Sequence, residues 1–461
     1  MRKAWLAFCF AAVTAVATAQ EPQPPSTPPP VAAPVASSPA RLPAVASPLR
    51  LTPQTAAEVA VQRSADLAIS EQGIAAARAN VRLAESQKGL RVEAQASYTR
   101  MGPTQSITLP ESMGGGQISF TAPQSHIETL AVTKPLYLGE RDRYARQAAQ
   151  AGVQAAEQNL QAGIVSVAVA AREAVFTLLR LQQLSLVAEQ RLTAIAEHLR
   201  IARAMFEAGT TARFEVVQAE TELAQAKGDL LTAQTAVAKQ KAFIAQLLLV
   251  PQGTEIIAEE GVPAAVPEGD LHRLIAAAIA ERPELDALEA AVRAQQANLR
   301  LARANDNPSL AVQGSVNRQT ATAASSEINW NVTVGVTKPI YQGGETRARV
   351  DTAKASLRTA ELNVERVEQQ IALQVSQALL SLQQATEQLL VAQQGEVEAQ
   401  ERARIALVRF QNGVGLGVEV IDAQTALAAA QTNVVNARYD LQVAVASLRA
   451  ALGLTDLPKE S

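Results

Sequence analysis

The chain has 461 residues, 48% of them hydrophobic but only 3% aromatic, and a net charge of −3. That balance excludes the basic footprint of a nucleic-acid-binding protein. The length exceeds what one compact core fills, so several domains or an elongated architecture is expected.

Residues 1–19 read as a secretory signal: Arg2 and Lys3, an apolar run from Ala4 to Ala17, then the small-residue site Ala17-Thr18-Ala19. The single cysteine, Cys9, lies in that run after a bulky Phe8 that does not suit a lipoprotein cleavage site. The mature chain is therefore expected to have neither a disulfide framework nor a thiol-ligated metal. No second apolar run of about 18 residues is read downstream, so no transmembrane helix is expected, and a membrane passage would need a barrel. Residues 20–50 are a Pro/Ala-rich arm, and 456–461 are a short tail.

The rest repeats. "VTKPLYLGERDRYARQAAQ" from 132 matches "VTKPIYQGGETRARVDTAK" from 336, and "IARAMFEAGTTARFEVVQAETELAQA" from 201 matches "IALVRFQNGVGLGVEVIDAQTALAAA" from 405, both at an offset of 204. Earlier, "ADLAISEQGIAAARANVRLAE" from 65 pairs with "PELDALEAAVRAQQANLRLAR" from 283 at an offset of 218. Two copies of one unit are implied, 51–265 and 266–455, the first carrying 14 extra residues (218 minus 204) around "MGPTQSITLPESMGGGQ". That stretch reads as a longer loop.

Each copy opens with a helix of about 35 residues and continues with two alternating strands, placed at about 91–137 and about 309–341. In "INWNVTVGVT", Ile328, Trp330, Val332, Val334 and Val336 share one parity and polar or small residues the other. "RVEAQASYT" and "SLAVQGSV" alternate similarly, while "IETLAVTKP" mixes its parities. A half-buried soluble sheet would alternate in the same way. So would barrel strands of about 9–11 residues, with the apolar parity on lipid. Four strands cannot close a barrel, so a membrane reading requires several chains to pool theirs. Trp330 and Tyr341, 11 residues apart along one strand, about 36 Å at 3.3 Å per residue, are brought by a barrel tilt near the separation of the two interfacial girdles.

Then come helical hairpins, about 140–250 and about 344–453, in proline-free runs of 115 and 118 residues. From Leu357 to Ala392 apolar residues step by threes and fours with one stutter at Ile371–Val375, a coiled-coil-like seam rich in alanine. Glu345 to Asn412 is expected to be one helix, roughly 100 Å long at 1.5 Å per residue. Gly209 and Gly413 sit as C-cap glycines between two such helices. The turns are either plain hairpin connections or docking tips. The acids that follow, Glu215, Glu419 and Asp422, suit a helix N-terminus.

With only His126, His198 and His272, read as surface residues, there is no zinc spacing, and no phosphate loop occurs. The expectation is a non-enzyme with no cofactor and no metal.

Together "VTKPLYLGERDRYA", "VTKPIYQGGETRAR", "FEAGTTARFEVVQAETEL", "FQNGVGLGVEVIDAQTAL" and "ERPELDALEAAVRAQQANLRLARANDNPSL" resemble the outer-membrane factor family, the TolC-like channels of efflux pumps and type I secretion systems, over about residues 51–455. The resemblance implies an α+β fold: a transmembrane β-barrel, four strands per chain and 12 in a homotrimer, continued by a long periplasmic α-helical coiled-coil barrel. It implies a passive exit duct in the outer membrane of a Gram-negative bacterium, extending into the periplasm. Its partners would be itself, outer-membrane lipid, a periplasmic adaptor (membrane fusion) protein and an inner-membrane pump of RND, ABC or MFS type. By position, Glu215, Glu419 and Asp422 match the family's acidic periplasmic aperture, and Phe206, Gly209, Thr210, Phe410, Gly413, Val414 and Leu416 its adaptor-contact tips. The family often has a tyrosine where this chain has Phe410, which removes that hydroxyl from any latch. Ile328, Trp330, Val332, Val334 and Val336 would face lipid. Competing readings are a protein-secretion duct, a periplasmic adaptor and a coiled-coil scaffold.

Overall fold

The computed structural model describes residues 48–102, 106–119, 124–262, 265–267, 269–321 and 327–454. The expected signal segment, the arm up to residue 47 and the tail lie outside the described residues. In chain order the elements are β1 (Leu49–Leu51), α1 (Pro53–Arg63), α2 (Ala65–Ser86), β2 (Arg91–Arg100), β3 (Ser106–Leu109), β4 (Gly116–Ser119), β5 (Gln124–Tyr137), α3 (Arg141–Glu207) and α4 (Arg213–Leu247). The second copy supplies β6 (Ile256–Ala258), α5 (Leu271–Glu281), α6 (Pro283–Arg303), β7 (Ser309–Ala321), β8 (Glu327–Thr337), α7 (Glu345–Gln411) and α8 (Gly417–Ala451). The chain divides into two compact units, one gathering Ala79–Ala149 and Gln296–Ala355, the other Leu42–Arg78, Gln150–Gln295 and Ser356–Ser461.

The first unit is built on a four-stranded antiparallel sheet in the order β2-β5-β7-β8. β5, whose sequence pattern is weakest, is the longest strand at 14 residues and is half-buried along most of its length. It is a central strand flanked by β2 and β7, and its parities mix because Ile127 and Ala131 lie on the polar face, opposite Ser97 and Glu93 of β2. The stretch of copy one expected to be a longer loop contains instead the hairpin β3/β4 around a short 3-10 turn, Glu111–Met113. Four-residue strands are too short to show a period of two over the turn residues around them. β8 ends at Thr337, so Tyr341 lies beyond the strand and its spacing from Trp330 is not a strand rise. At the β5–α3 junction Gly139, at φ 67, has Asn307 against it: a Cβ there would stand 2.7 Å from the Asn307 Cβ, and its carbonyl accepts from Asn307 Nδ2 at 2.9 Å. The glycine of the TKP motif is thus required for close approach.

The second unit holds the helical hairpins, and its packing repeats with the sequence. Around α3 and α4 the core contains Ala56, Ala60, Leu178, Ile244 and Leu248. Around α7 and α8 the corresponding Leu274, Ala278, Leu382, Leu448 and Leu452 do the same. The seam predicted on α7 is the buried stripe, with Ile371, Val375, Leu382 and Ala385 inside. α3 also contains a stretch long and apolar enough for a membrane span, contrary to the sequence expectation; Arg172 and Glu173 interrupt it, which hides it from a run count. Its Ala171, Ala174, Val175, Leu178 and Leu179 pack in the first core, so it reads as a core helix.

The 35-residue opening helices are each broken in two, at Ser64 between α1 and α2 and at Arg282 between α5 and α6. Arg282 replaces continuity with side-chain bonds, donating from Nε to the Ala451 carbonyl at 2.9 Å and from Nη1 to Gln374 at 2.7 Å. α1 starts on a capping box between Thr52 and Thr55 with Pro53 in its first turn. Leu49 and Arg50, assigned from sequence to the arm, belong instead to β1, which pairs in parallel with β6. Three-residue strands carry no legible periodicity.

Candidate functional site

Two surfaces, one in each unit, carry the residues singled out by sequence. On the sheet, register aligns the alternations of all four strands. Val92, Val132, Gly314 and Val332 form one cross-strand row, and Ala94, Leu130, Val316 and Trp330 the next. Val312 with Val334 and Leu310 with Val336 continue the same face. Ile328, Trp330, Val332, Val334 and Val336 are all exposed, Trp330 to 75%, so among the described residues nothing covers this face along β8. The opposite face is built of amides and hydroxyls: Gln95, Thr129, Asn317 and Asn329 in one row, Glu93, Ala131, Ser315 and Asn331 in the next, where the Ser315 hydroxyl donates to the Asn331 side chain. Apolar and polar faces therefore lie back to back, and among the described residues both edge strands, β2 and β8, pair on one side only.

At the hairpin ends, two Schellman turns repeat. In the first, Gly209 (φ 73) donates to the Phe206 carbonyl at 3.0 Å and Thr210 N–H to Met205 at 2.9 Å. In the second, Gly413 (φ 72) donates to Phe410 at 2.9 Å and Val414 to Arg409 at 3.0 Å. Phe206, Gly209, Thr210, Gly413, Val414 and Leu416 are exposed. Phe410 is not: at 2% exposure it is packed with Ala202, Ala403, Ala406, Val420 and Ala423, so its placement among the contact residues is corrected to a core role.

The three acids separate. Glu419 lies in the first turn of α8 and its carboxylate is 3.5 Å from Arg409. Asp422 is exposed. Glu215 is folded onto the start of α8, where a Cβ on Gly417 would stand 2.0 Å from its Oε2. α8 has no side-chain cap of its own, so this carboxylate supplies negative charge at a bare helix N-terminus.

A residue that sequence reasoning placed on the surface is the most buried polar group here. His198 is 1% exposed, its ring centroid 4.9 Å from that of Phe410, with neither ring nitrogen hydrogen-bonded. Burial pushes its pKa below the usual histidine range. Just beside it, Glu197 is held low by the hydrogen bonds of Arg200, and the pair recurs as Glu401 and Arg404. Among the described residues no cluster of His, Cys, Asp and Glu could hold a metal.

Comparison with known proteins agrees with this architecture. The family model described as outer membrane efflux protein matches residues 56–248 and 274–454. The outer membrane efflux protein BepC of Brucella suis biovar 1 (strain 1330) is 26% identical over 385 residues, 81% of this chain and 82% of that protein. The cation efflux system protein CusC of Escherichia coli O157:H7 is 27% identical over 246 residues, 50% of this chain and 53% of that one. In fold, a solved structure of CusC superposes with a TM-score of 0.74 at 21% identity, covering 88% of this chain and 92% of that one, and the outer-membrane channel OprN with 0.72 at 20%, covering 87% and 89%. A bare apolar sheet face, duplicated helical hairpins and a family match over both copies lead to one assignment: the chain belongs to the outer membrane efflux protein family.

Proposed function

We propose that three copies of this chain close a 12-stranded barrel in the outer membrane and form a passive exit duct for small molecules. The observation that carries this is the four-stranded sheet with an exposed apolar face, a polar reverse face and two unpaired edges. In hydrocarbon every backbone group needs a partner, and four strands cannot close on themselves. Pairing β8 of one copy with β2 of the next removes both edges. The amide and hydroxyl face then lines the water path, and Ile328, Trp330, Val332, Val334 and Val336 meet lipid.

In this reading the helical hairpins continue the duct into the periplasm. Their exposed tips, Phe206, Gly209, Thr210, Gly413, Val414 and Leu416, meet a periplasmic adaptor, which couples the duct to an inner-membrane pump. Glu419 and Asp422 line a constriction where focused negative potential favours cations, with Glu215 acting through its seat on Gly417. The chain performs no catalysis and requires no cofactor; transport energy comes from the pump. The efflux names of its relatives favour small-molecule export over protein secretion.

The test is conductance of the detergent-extracted protein in a planar bilayer, alone and as Glu419→Ala/Asp422→Ala. Cation-selective conductance that grows or loses selectivity in the variant supports duct and aperture together. Conductance indifferent to the substitutions removes the aperture assignment, and a protein that stays in solution without detergent removes the duct.

A further inference from the structure

The apolar face of the sheet does not fade out at the end nearest the strand connections; it stops at charge. Beyond the Trp330 row, the next row across the sheet is Ala96, Glu128, Arg318 and Ile328, then Tyr98, His126 and Thr320, then Arg100 opposite Gln124. All share the face of Trp330 by register. Arg318 stands 4.0 Å from the Glu128 carboxylate, and the Tyr98 and His126 rings are 4.7 Å apart. From Val336 to Ile328 the apolar parity runs eight residues, about 27 Å along the strand and about 20 Å along the membrane normal at a barrel tilt. Against an apolar band about 25 Å tall, the Tyr98–His126 row one step further lies at its edge, where amphipathic rings settle, and Arg100 and the long Arg318 side chain reach the headgroups.

We infer that this rim binds a phosphate-bearing anionic lipid headgroup, with Arg100 and Arg318 as its donors. The inference rests on the membrane reading above, in which the strand connections point outward. Charge is the argument for the occupant: these rows carry two guanidinium groups and one carboxylate on the lipid side, a net excess of one cation per chain. Guanidinium forks match phosphate oxygens in paired hydrogen bonds. The apolar band below offers acyl chains a continuous surface, and the Tyr98–His126 pair offers polar tips at the same depth. At the other end of the band Lys134 donates to the Lys88 carbonyl at 2.7 Å and is tied to the protein's own backbone. The lipid whose headgroup fits is a phosphorylated glycolipid of the outer leaflet.

The test uses the full-length protein in detergent with diphosphorylated lipid A as probe and phosphatidylethanolamine as control, read by native mass spectrometry and by the shift of the unfolding midpoint. Wild type is expected to retain lipid A and Arg100→Gln/Arg318→Gln to bind it at least tenfold more weakly, while Lys134→Gln behaves as wild type. Because Arg318→Gln alone strands Glu128, the triple variant Arg100→Gln/Glu128→Gln/Arg318→Gln replaces the ion pair as a unit and must show the same loss. Lipid A binding unchanged in the triple variant, or matched by phosphatidylethanolamine, overturns the inference while a detergent-requiring trimer still stands. A protein that needs no detergent and forms no trimer overturns the membrane reading and this inference with it.

Discussion

His198 gives the hairpin ends a pH dependence whose direction follows from burial. Its imidazole is buried beside Phe410 with both nitrogens unbonded, and its pKa is lowered. A histidine whose folded pKa lies below the unfolded value of about 6.5 takes up a proton more readily when its surroundings open. Local stability is therefore complete above about pH 6.5 and declines as pH falls from there toward the folded pKa, by at most about 1.4 kcal/mol per pH unit. No carboxylate hydrogen-bonds the ring in compensation; the nearest in sequence, Glu197, is engaged by Arg200. Amide hydrogen exchange over 195–205 and 403–410, corrected for intrinsic rates, should show protection falling between pH 7.5 and 5.5. His198→Phe keeps an aromatic ring against Phe410 and should flatten that dependence while raising protection, since a buried unpaired polar group costs about 1–3 kcal/mol. Equal pH dependence in wild type and His198→Phe would refute the reasoning and place the sensitivity in the surrounding carboxylates.

Two glycines give further tests. Gly417→Ala drives a Cβ into the place of the Glu215 carboxylate, the far end of a flexible side chain, so the carboxylate should swing away from the start of α8 at a cost of about 0.3–1 kcal/mol, and the substitution should cost less in a Glu215→Ala background; a strictly additive double-variant cycle in chemical unfolding would show that the two do not touch in solution. Leu249 (φ 50) and Gly453 (φ 73) occupy matching positions at the ends of α4 and α8, offset by 204. Gly453→Leu should destabilise by about 1–2 kcal/mol or more, because its Cβ would also stand 3.0 Å from the Glu281 carbonyl, while Leu249→Asn should be neutral or mildly stabilising in thermal unfolding.

What was legible in the sequence was what repeats over many turns or pairs by parity. The α7 seam, the C-cap glycines and β8 each follow from one local rule applied over a whole element. What was not legible depends on contacts distant in sequence. β5 reads poorly because Ile127 and Ala131 fall on the parity of its polar face, and the break at Arg282 is held by an arginine reaching residues 374 and 451. His198 is hidden for the same reason: nothing local to a polar residue on a mixed helix shows that it packs against Phe410, over 200 positions away. Among the site residues, sequence position put all three acids near the hairpin ends, yet only geometry shows Glu215 folded onto Gly417.

The duplication also supplies an internal control, because the two hairpins differ where their backbones correspond. In the first, Arg191 on α3 reaches two acids on α4, Asp229 at 2.5 Å and Glu222 at 3.5 Å, with its side chain only 14% exposed. The positions 204 residues later are Gly395, Asn433 and Ala426. Where the clamp would stand, the second hairpin has an open groove of about 650 Å³, lined by Gln388, Val391, Gly395, Ala430 and Asn433 among others. At this level, among the described residues, one hairpin is cross-braced by a poorly exposed charge and the other is not, its Arg409–Glu419 pair lying near the turn, so the second should open midway at lower free energy. Transplanting the brace as Gly395→Arg/Ala426→Glu/Asn433→Asp should slow amide exchange midway along α7 and α8 and bring it toward that of α3 and α4. Replacing Gly395 also adds helix propensity worth roughly 0.8–1.0 kcal/mol relative to glycine, so Gly395→Ala is the control that isolates the ion pair. If Gly395→Ala slows exchange as much as the triple variant, the asymmetry belongs to the glycine and not to the missing charges. If neither slows it, the two hairpins are equally rigid and the brace on Arg191 has no mechanical role.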